Sequence, residues 1–416
     1  MSQASRSPLK TSSRIAARKA RDTRNEVLAV EDAIDPNATP RPVRARHKPA
    51  PAPPDTIPNP VLGKTKTPTL TSNTPEDKPD TDREDVDWPA SSVTESTGSR
   101  ARSRSPTKRM VDLRVAEKTV ISKTAKSPTD VPEDVRELYT AIRSLARIPY
   151  GVIPLGIEDE VKKDDGGDLD PFVATKANGM TRRQLINEFD ALIEIRDSTA
   201  FCKTKQVHEP TWNERVHSMM LKRVVRNLPG FEYHNITTAR VIKELVPWNK
   251  YGELLKNKMI DYAITLESPL FSEDQVITRL AATPGPLQRT INPSDYSPLR
   301  HSPVAISIET KQTDGGKESG EVQLSIWAMA YFNRLRTLTR DPVSITLLLI
   351  LVSDERWKLM FARDLEHSIE IIDAVDFGST GDIIGCYTIL AVLRLLCGWA
   401  EDTFLGWFSD NVLKPE

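Results

Sequence analysis

The sequence predicts an α/β domain, a central mixed sheet flanked by helices, preceded by a long disordered N-terminal tail. Three observations carry this expectation. Val304–Lys311 alternates as a strand, then passes through a Gly315-Gly316 turn into a helix of about five turns that is apolar around most of its circumference. Residues 345–352 form a continuous apolar run of the kind that interior strands carry. Residues 1–128 are dense in proline and contain one aromatic residue, Trp88, so they lack the apolar surface needed to offset their ordering entropy.

Taken in order, the tail (1–128) has basic clusters at 14–21, 41–48 and 100–109 and an acidic patch at 76–87. Its stretch SRARSRSPTKR resembles a nuclear-localisation signal and a proline-directed phosphorylation site, with Ser103, Ser105 and Thr107 as acceptors. The expected location is therefore nuclear, otherwise cytoplasmic. The ordered domain is expected over 129–416. Asp130 caps its first helix, which carries Leu138, Ile142 and Leu145 on one face. An acidic loop with Gly166-Gly167 follows, and Thr181 opens a second helix buried through Leu185, Phe189 and Leu192. A helix over 209–226 places Glu209, Asn213 and His217 on one face at i, i+4, i+8. His217 reads as a hydrogen-bonded packing residue, because hard cations prefer oxygen. Residues 231–237 and KMIDYAITL read as strands. The stretch 268–303 is a long Pro/Ser/Thr/Gly-rich insertion bearing Arg279, Arg289, Arg300 and His301, near where a phosphate would arrive. Two strands meet at 353–355, another covers 369–375, and residues 377–380 form a turn. A helical region over 382–412 packs Trp399, Phe404, Trp407 and Phe408 on the sheet.

Several classes are disfavoured. The net charge of −1 gives no global field toward nucleic acid. Cys202, Cys386 and Cys397 lie far apart, which argues against structural zinc and disulfides. The most apolar stretches, 345–352 and 383–396, are too short or interrupted to span a bilayer, so no membrane is expected.

The chemistry concentrates on two strands. Glu309 and Lys311 share one strand face. A carboxylate and the intervening Thr310 carbonyl offer two oxygens to a hard divalent cation, and the ammonium can hold a metal-bound water or neutralise a phosphate. Asp261 is an acid within an apolar strand, where it needs a partner or a metal. Gln323 is the one amide side chain near the start of the following helix.

With EPTWNERVHSMML, NITTARVI, KMIDYAITL, INPSDYSPLRHSPVAISIETK and VQLSIWAMAYFNRL in this order, the chain from about Val131 onward resembles the fungal PD-(D/E)XK nuclease-like domain family. Ile260 stands where the strict motif has proline, a departure many members share. The resemblance implies a restriction-endonuclease-like fold and a Mg²⁺- or Mn²⁺-dependent phosphodiesterase acting on DNA. Asp261, Glu309 and the Thr310 carbonyl would hold metal, Lys311 would orient or activate water, and Gln323 would position the site. Glu209, in the Glu-x-x-Trp-Asn pattern, would reach the site from a helix packed over the same sheet face. The alternative it leaves open is a catalytically inactive, nuclear binding or scaffold module. A shared metal further requires Asp261 and Glu309 on neighbouring strands, and without a bound cation the two acids repel, so at least one should show a raised pKa.

Overall fold

A computed structural model describes residues 109–167, 173–176, 179–255, 259–283, 285–312 and 316–414. The disorder expected for residues 1–108 lies outside the described residues, as does Gly315.

The strands are β1 (Thr119–Thr124), β2 (Ile153–Pro154), β3 (Ala174–Lys176), β4 (Phe231–Asn235), β5 (Tyr262–Leu266), β6 (Val304–Lys311), β7 (Leu347–Ser353), β8 (Arg356–Asp364) and β9 (Ser368–Ser379). The longer helices are α1 (Arg136–Arg147), α2 (Glu158–Asp165), α3 (Arg182–Lys205), α4 (209–225), α5 (Glu273–Ala281), α6 (Lys317–Arg336) and α7 (Ile383–Leu413). Seven strands form one mixed sheet in the order β1-β9-β8-β7-β6-β5-β4. The β6–β7 and β1–β9 pairs are parallel and the other four antiparallel. β2 and β3 pair separately.

Alternation along β6 assigns the two layers. Ile306 and Ile308 face the side where Tyr139 of α1 meets Phe361 edge-on and where Tyr262 donates to the Asn213 carbonyl of α4. Ser307 and Glu309 face the other side, where Trp327 of α6 donates to Ser307 at 2.9 Å. β6 and β7 are buried along nearly their whole length, as parallel neighbours covered on both faces must be.

Several expectations are corrected. Order starts before residue 129: Met110–Val115 packs along α6, and β1 adds an edge to β9. β1 buries only Val120, so its sequence carries little of the apolar signal that marks a strand. Asp130 completes a capping box with Ser127 on a short 3₁₀ turn, and α1 begins later, at Arg136. Residues 377–379, expected in a turn, continue β9. Within the 268–303 insertion the described residues include α5, and Asn292 donates to the Leu299 and Ser302 carbonyls and accepts from Val304 N. The helical region expected over 382–412 is α7, which π-helical turns at Ala400–Phe404 and Ser409–Leu413 carry past the apolar stretch 383–396. By length and hydropathy it could cross a membrane, but two thirds of its most apolar window is buried inside this fold, against β9, α1 and α3.

Candidate active site

The sheet brings the predicted acids together at the end of β6. Tyr262 stands opposite Ile308, and Asp261 N donates to the Ile308 carbonyl at 3.1 Å, so Asp261 falls beside Glu309. Asp261 lies one residue before β5 rather than within it. Its Oδ2 accepts from Thr310 N at 2.9 Å and Thr310 Oγ1 at 2.8 Å, which satisfies the buried charge that the sequence left unexplained.

Glu309 is fully buried and is ion-paired with Lys311, yet neither of its oxygens has a well-aligned hydrogen bond. Burial pushes its carboxyl well above the usual range, and the Asp261 charge adds to this while Lys311 opposes it. The Lys311 ammonium donates to the Thr310 carbonyl at 2.8 Å and lies 3.6 Å from Glu209 Oε2. Burial alone would lower the Lys311 pKa, but Glu309, Asp261 and Glu209 raise it. One cation, the lysine's own, is thus ringed by the Glu309, Thr310 and Glu209 oxygens.

Glu209 arrives by a different route from the one expected. Its helix, α4, packs on the opposite sheet face from Glu309, and Glu209 reaches the site around the end of β6. Gln323 comes from α6, donating to the Met259 carbonyl at 3.0 Å. The close approach of α6 depends on Gly320, where a Cβ would stand 2.6 Å from Leu351 Cδ1 and 3.1 Å from Lys311 Cγ.

A cleft of about 510 Å³ opens on this cluster, lined by Glu209, Asp261, Lys311 and Gln323 and by Thr237, Thr238, Arg240 and Met259. Arg240 and the two threonines escaped the sequence reading, although the NITTAR phrase contains all three. The insertion cations serve elsewhere. Arg279 binds the Val412 and Leu338 carbonyls, Arg300 the Asp295 carbonyl, and His301 pairs with Glu273.

The arrangement suits a hard cation. Among the described residues no three His, Cys, Asp or Glu side chains gather into a metal-ready cluster. Two carboxylates and a main-chain carbonyl do converge, however, and the buried Glu309 oxygens, without a well-aligned hydrogen bond, leave room for a cation. A mixed sheet that gathers two acids and a lysine at adjacent strand ends, with Asp261 and Lys311 facing an open cleft and Glu309 buried behind it, is the framework of a nuclease-like domain. A family model for the PD-(D/E)XK nuclease superfamily matches residues 157–405, and the chain belongs to that superfamily. Its restriction-endonuclease-like fold agrees with the mixed seven-stranded sheet and flanking helices. No curated protein matches the chain.

Proposed function

We propose that the chain hydrolyses phosphodiester bonds in DNA, using Mg²⁺ or Mn²⁺ held by Asp261, Glu309 and the Thr310 carbonyl. The observation that carries this reading is the Lys311 ammonium lodged against the Glu309 and Thr310 oxygens that a divalent cation would use. Superfamily membership supports a nucleic-acid substrate and a divalent metal. A bound cation would supply charge to a phosphate oxygen and acidify a water. With the carboxylates so engaged, the Lys311 ammonium is free to turn into the cleft and hold the attacking water or the phosphate. Arg240 adds charge on the cleft wall, where a phosphate backbone can lie. Gln323 keeps the Met259 wall in place. Glu209 is assigned to orient Lys311. Nuclear residence is proposed from the basic segment 100–109.

The test is cleavage of plasmid and linear DNA by purified protein with Mg²⁺ or Mn²⁺, alongside Asp261→Ala. Loss of cleavage in the variant is expected. Equal cleavage by both proteins would assign the activity to a contaminant. Absence of cleavage, with no Mn²⁺ uptake at millimolar metal, would favour the inactive scaffold instead.

A further inference from the structure

Behind Asp261 runs an unbroken chain of polar contacts that starts at the β7–β8 turn. His217 is 1% exposed, stacked on Trp212 (ring centroids 5.9 Å apart) and edge-on to Trp357 (6.0 Å). Its Nε2 lies 2.8 Å from the Asp354 carbonyl. A carbonyl only accepts, so Nε2 carries a hydrogen. Burial outweighs the opposing Asp354 contacts and charge and keeps the ring neutral at pH 7, with a pKa lowered to about 4. Nδ1 is therefore an acceptor, and whatever faces it must donate.

The Asn213 side chain faces it. The terminal atom placed as Asn213 Oδ1 lies 2.9 Å from His217 Nδ1 and 2.7 Å from Thr310 Oγ1. Thr310 Oγ1 is also 2.8 Å from Asp261 Oδ2, which can only accept as a carboxylate. A hydroxyl has one hydrogen, and Asp261 takes it. Oγ1 must then accept from Asn213. An amide oxygen at that position would meet one acceptor lone pair at Nδ1 and a hydroxyl with no hydrogen left for it. An NH₂ group there has two hydrogens, one for each neighbour, and the two ends of an amide have the same shape. The π-helical turn Asn213–His217 in α4 brings both side chains to this line.

We propose that Asn213 and His217 are positioning residues for Asp261: the Asn213 NH₂ donates to His217 Nδ1 and Thr310 Oγ1, directing the Thr310 hydroxyl hydrogen onto Asp261 Oδ2. Two donors from Thr310 then pin one carboxylate oxygen and leave the other for a cation. This role rests on the nuclease reading; the hydrogen-bond order does not.

The order is tested on the ¹⁵N-labelled full chain by long-range ¹H–¹⁵N correlation of the His217 ring. Hydrogen on Nε2 alone is expected, and hydrogen on Nδ1, alone or together with Nε2, overturns the proposal. In Asn213→Asp, which offers Nδ1 only an acceptor, His217 should be protonated at both nitrogens at pH 7. An unchanged ring would mean that the amide oxygen had faced it all along. The positioning role is tested by calorimetry with Mn²⁺ alone. Asn213→Leu and Thr310→Val should each weaken uptake roughly 10–100-fold. Thr310→Ser, which keeps the hydroxyl, should bind within a few-fold of wild type and serves if Thr310→Val does not fold. Equal affinity in all folded variants overturns the role. No Mn²⁺ uptake by the wild type sinks the nuclease reading and the role with it, while the ring tautomer still decides the hydrogen-bond order.

Discussion

At the scale of single residues, His217 makes stability depend on acid. The ring is enclosed by Trp212, Trp357, Asn213 and the Asp354 backbone, and burial lowers its pKa from 6.5 to about 4. Between these values the unfolded chain binds a proton that the folded chain refuses, so stability is full above pH 6.5 and falls toward pH 4. At about 1.4 kcal/mol per pH unit, the loss is about 3 kcal/mol. Urea unfolding at pH 7 and pH 4.5 should show a smaller drop for His217→Gln than for wild type, and identical drops would remove His217 as the cause. Much of this residue-level picture was legible. The i, i+4 spacing of Asn213 and His217 gave their shared face, and oxygen preference made His217 a packing residue. Two things could not be read. Arg240 sits in the cleft through a tertiary excursion, and Glu209 approaches from the opposite face, because strand periodicity carries no information about what wraps around a strand end.

At the scale of elements, legibility followed burial. β6, β7, β8 and α6 are interior, so their apolar periodicity predicted them well. β1 is an edge strand with one buried side chain, and its TVISKT sequence merged with the tail. Removal of residues 1–108 should therefore leave cooperative thermal unfolding intact. Removal through residue 128 strips β1 from β9 and should lower Tm by several degrees; equal Tm values would show that β1 contributes nothing. The β9–α7 junction makes a sharper demand. Asp382 caps α7 by accepting from Gly385 N at 2.7 Å, and a Cβ on Gly385 would stand 2.1 Å from the Ser379 carbonyl oxygen. Backbone cannot move aside as a side chain can. Gly385→Ala should cost about 1–3 kcal/mol despite alanine's better helix propensity, and a stability equal to wild type would mean that the junction is looser than its contacts imply.

At the scale of the whole molecule, the site couples the fold to its cation. The end of β6 carries a fully buried carboxylate whose only charge partner on the same strand is Lys311. Two sheet faces meet there, α6 from one and α4 from the other, so the site's electrostatics bear on the packing of both layers. A divalent cation that binds this assembled end, and not the unfolded chain, stabilises the fold by mass action. At free metal one hundred times Kd the gain is about 2.7 kcal/mol. For a domain of this size that corresponds to a rise in Tm of roughly 5 °C. Thermal unfolding with and without Mn²⁺ measures it directly, with Ca²⁺ and monovalent salt as controls for general screening. Asp261→Asn should abolish the Mn²⁺-dependent rise, because its amide can donate where the cation needs a carboxylate oxygen. Lys311→Met bears on the same balance from the other side: without the tethered ammonium, the oxygens of Glu309, Thr310 and Glu209 have no resident cation. The metal-free variant should unfold at a lower temperature than wild type, and Mn²⁺ should recover a larger share of Tm in it. If Lys311→Met instead loses the Mn²⁺ response, the lysine is holding the acids in place for the metal rather than standing in for it.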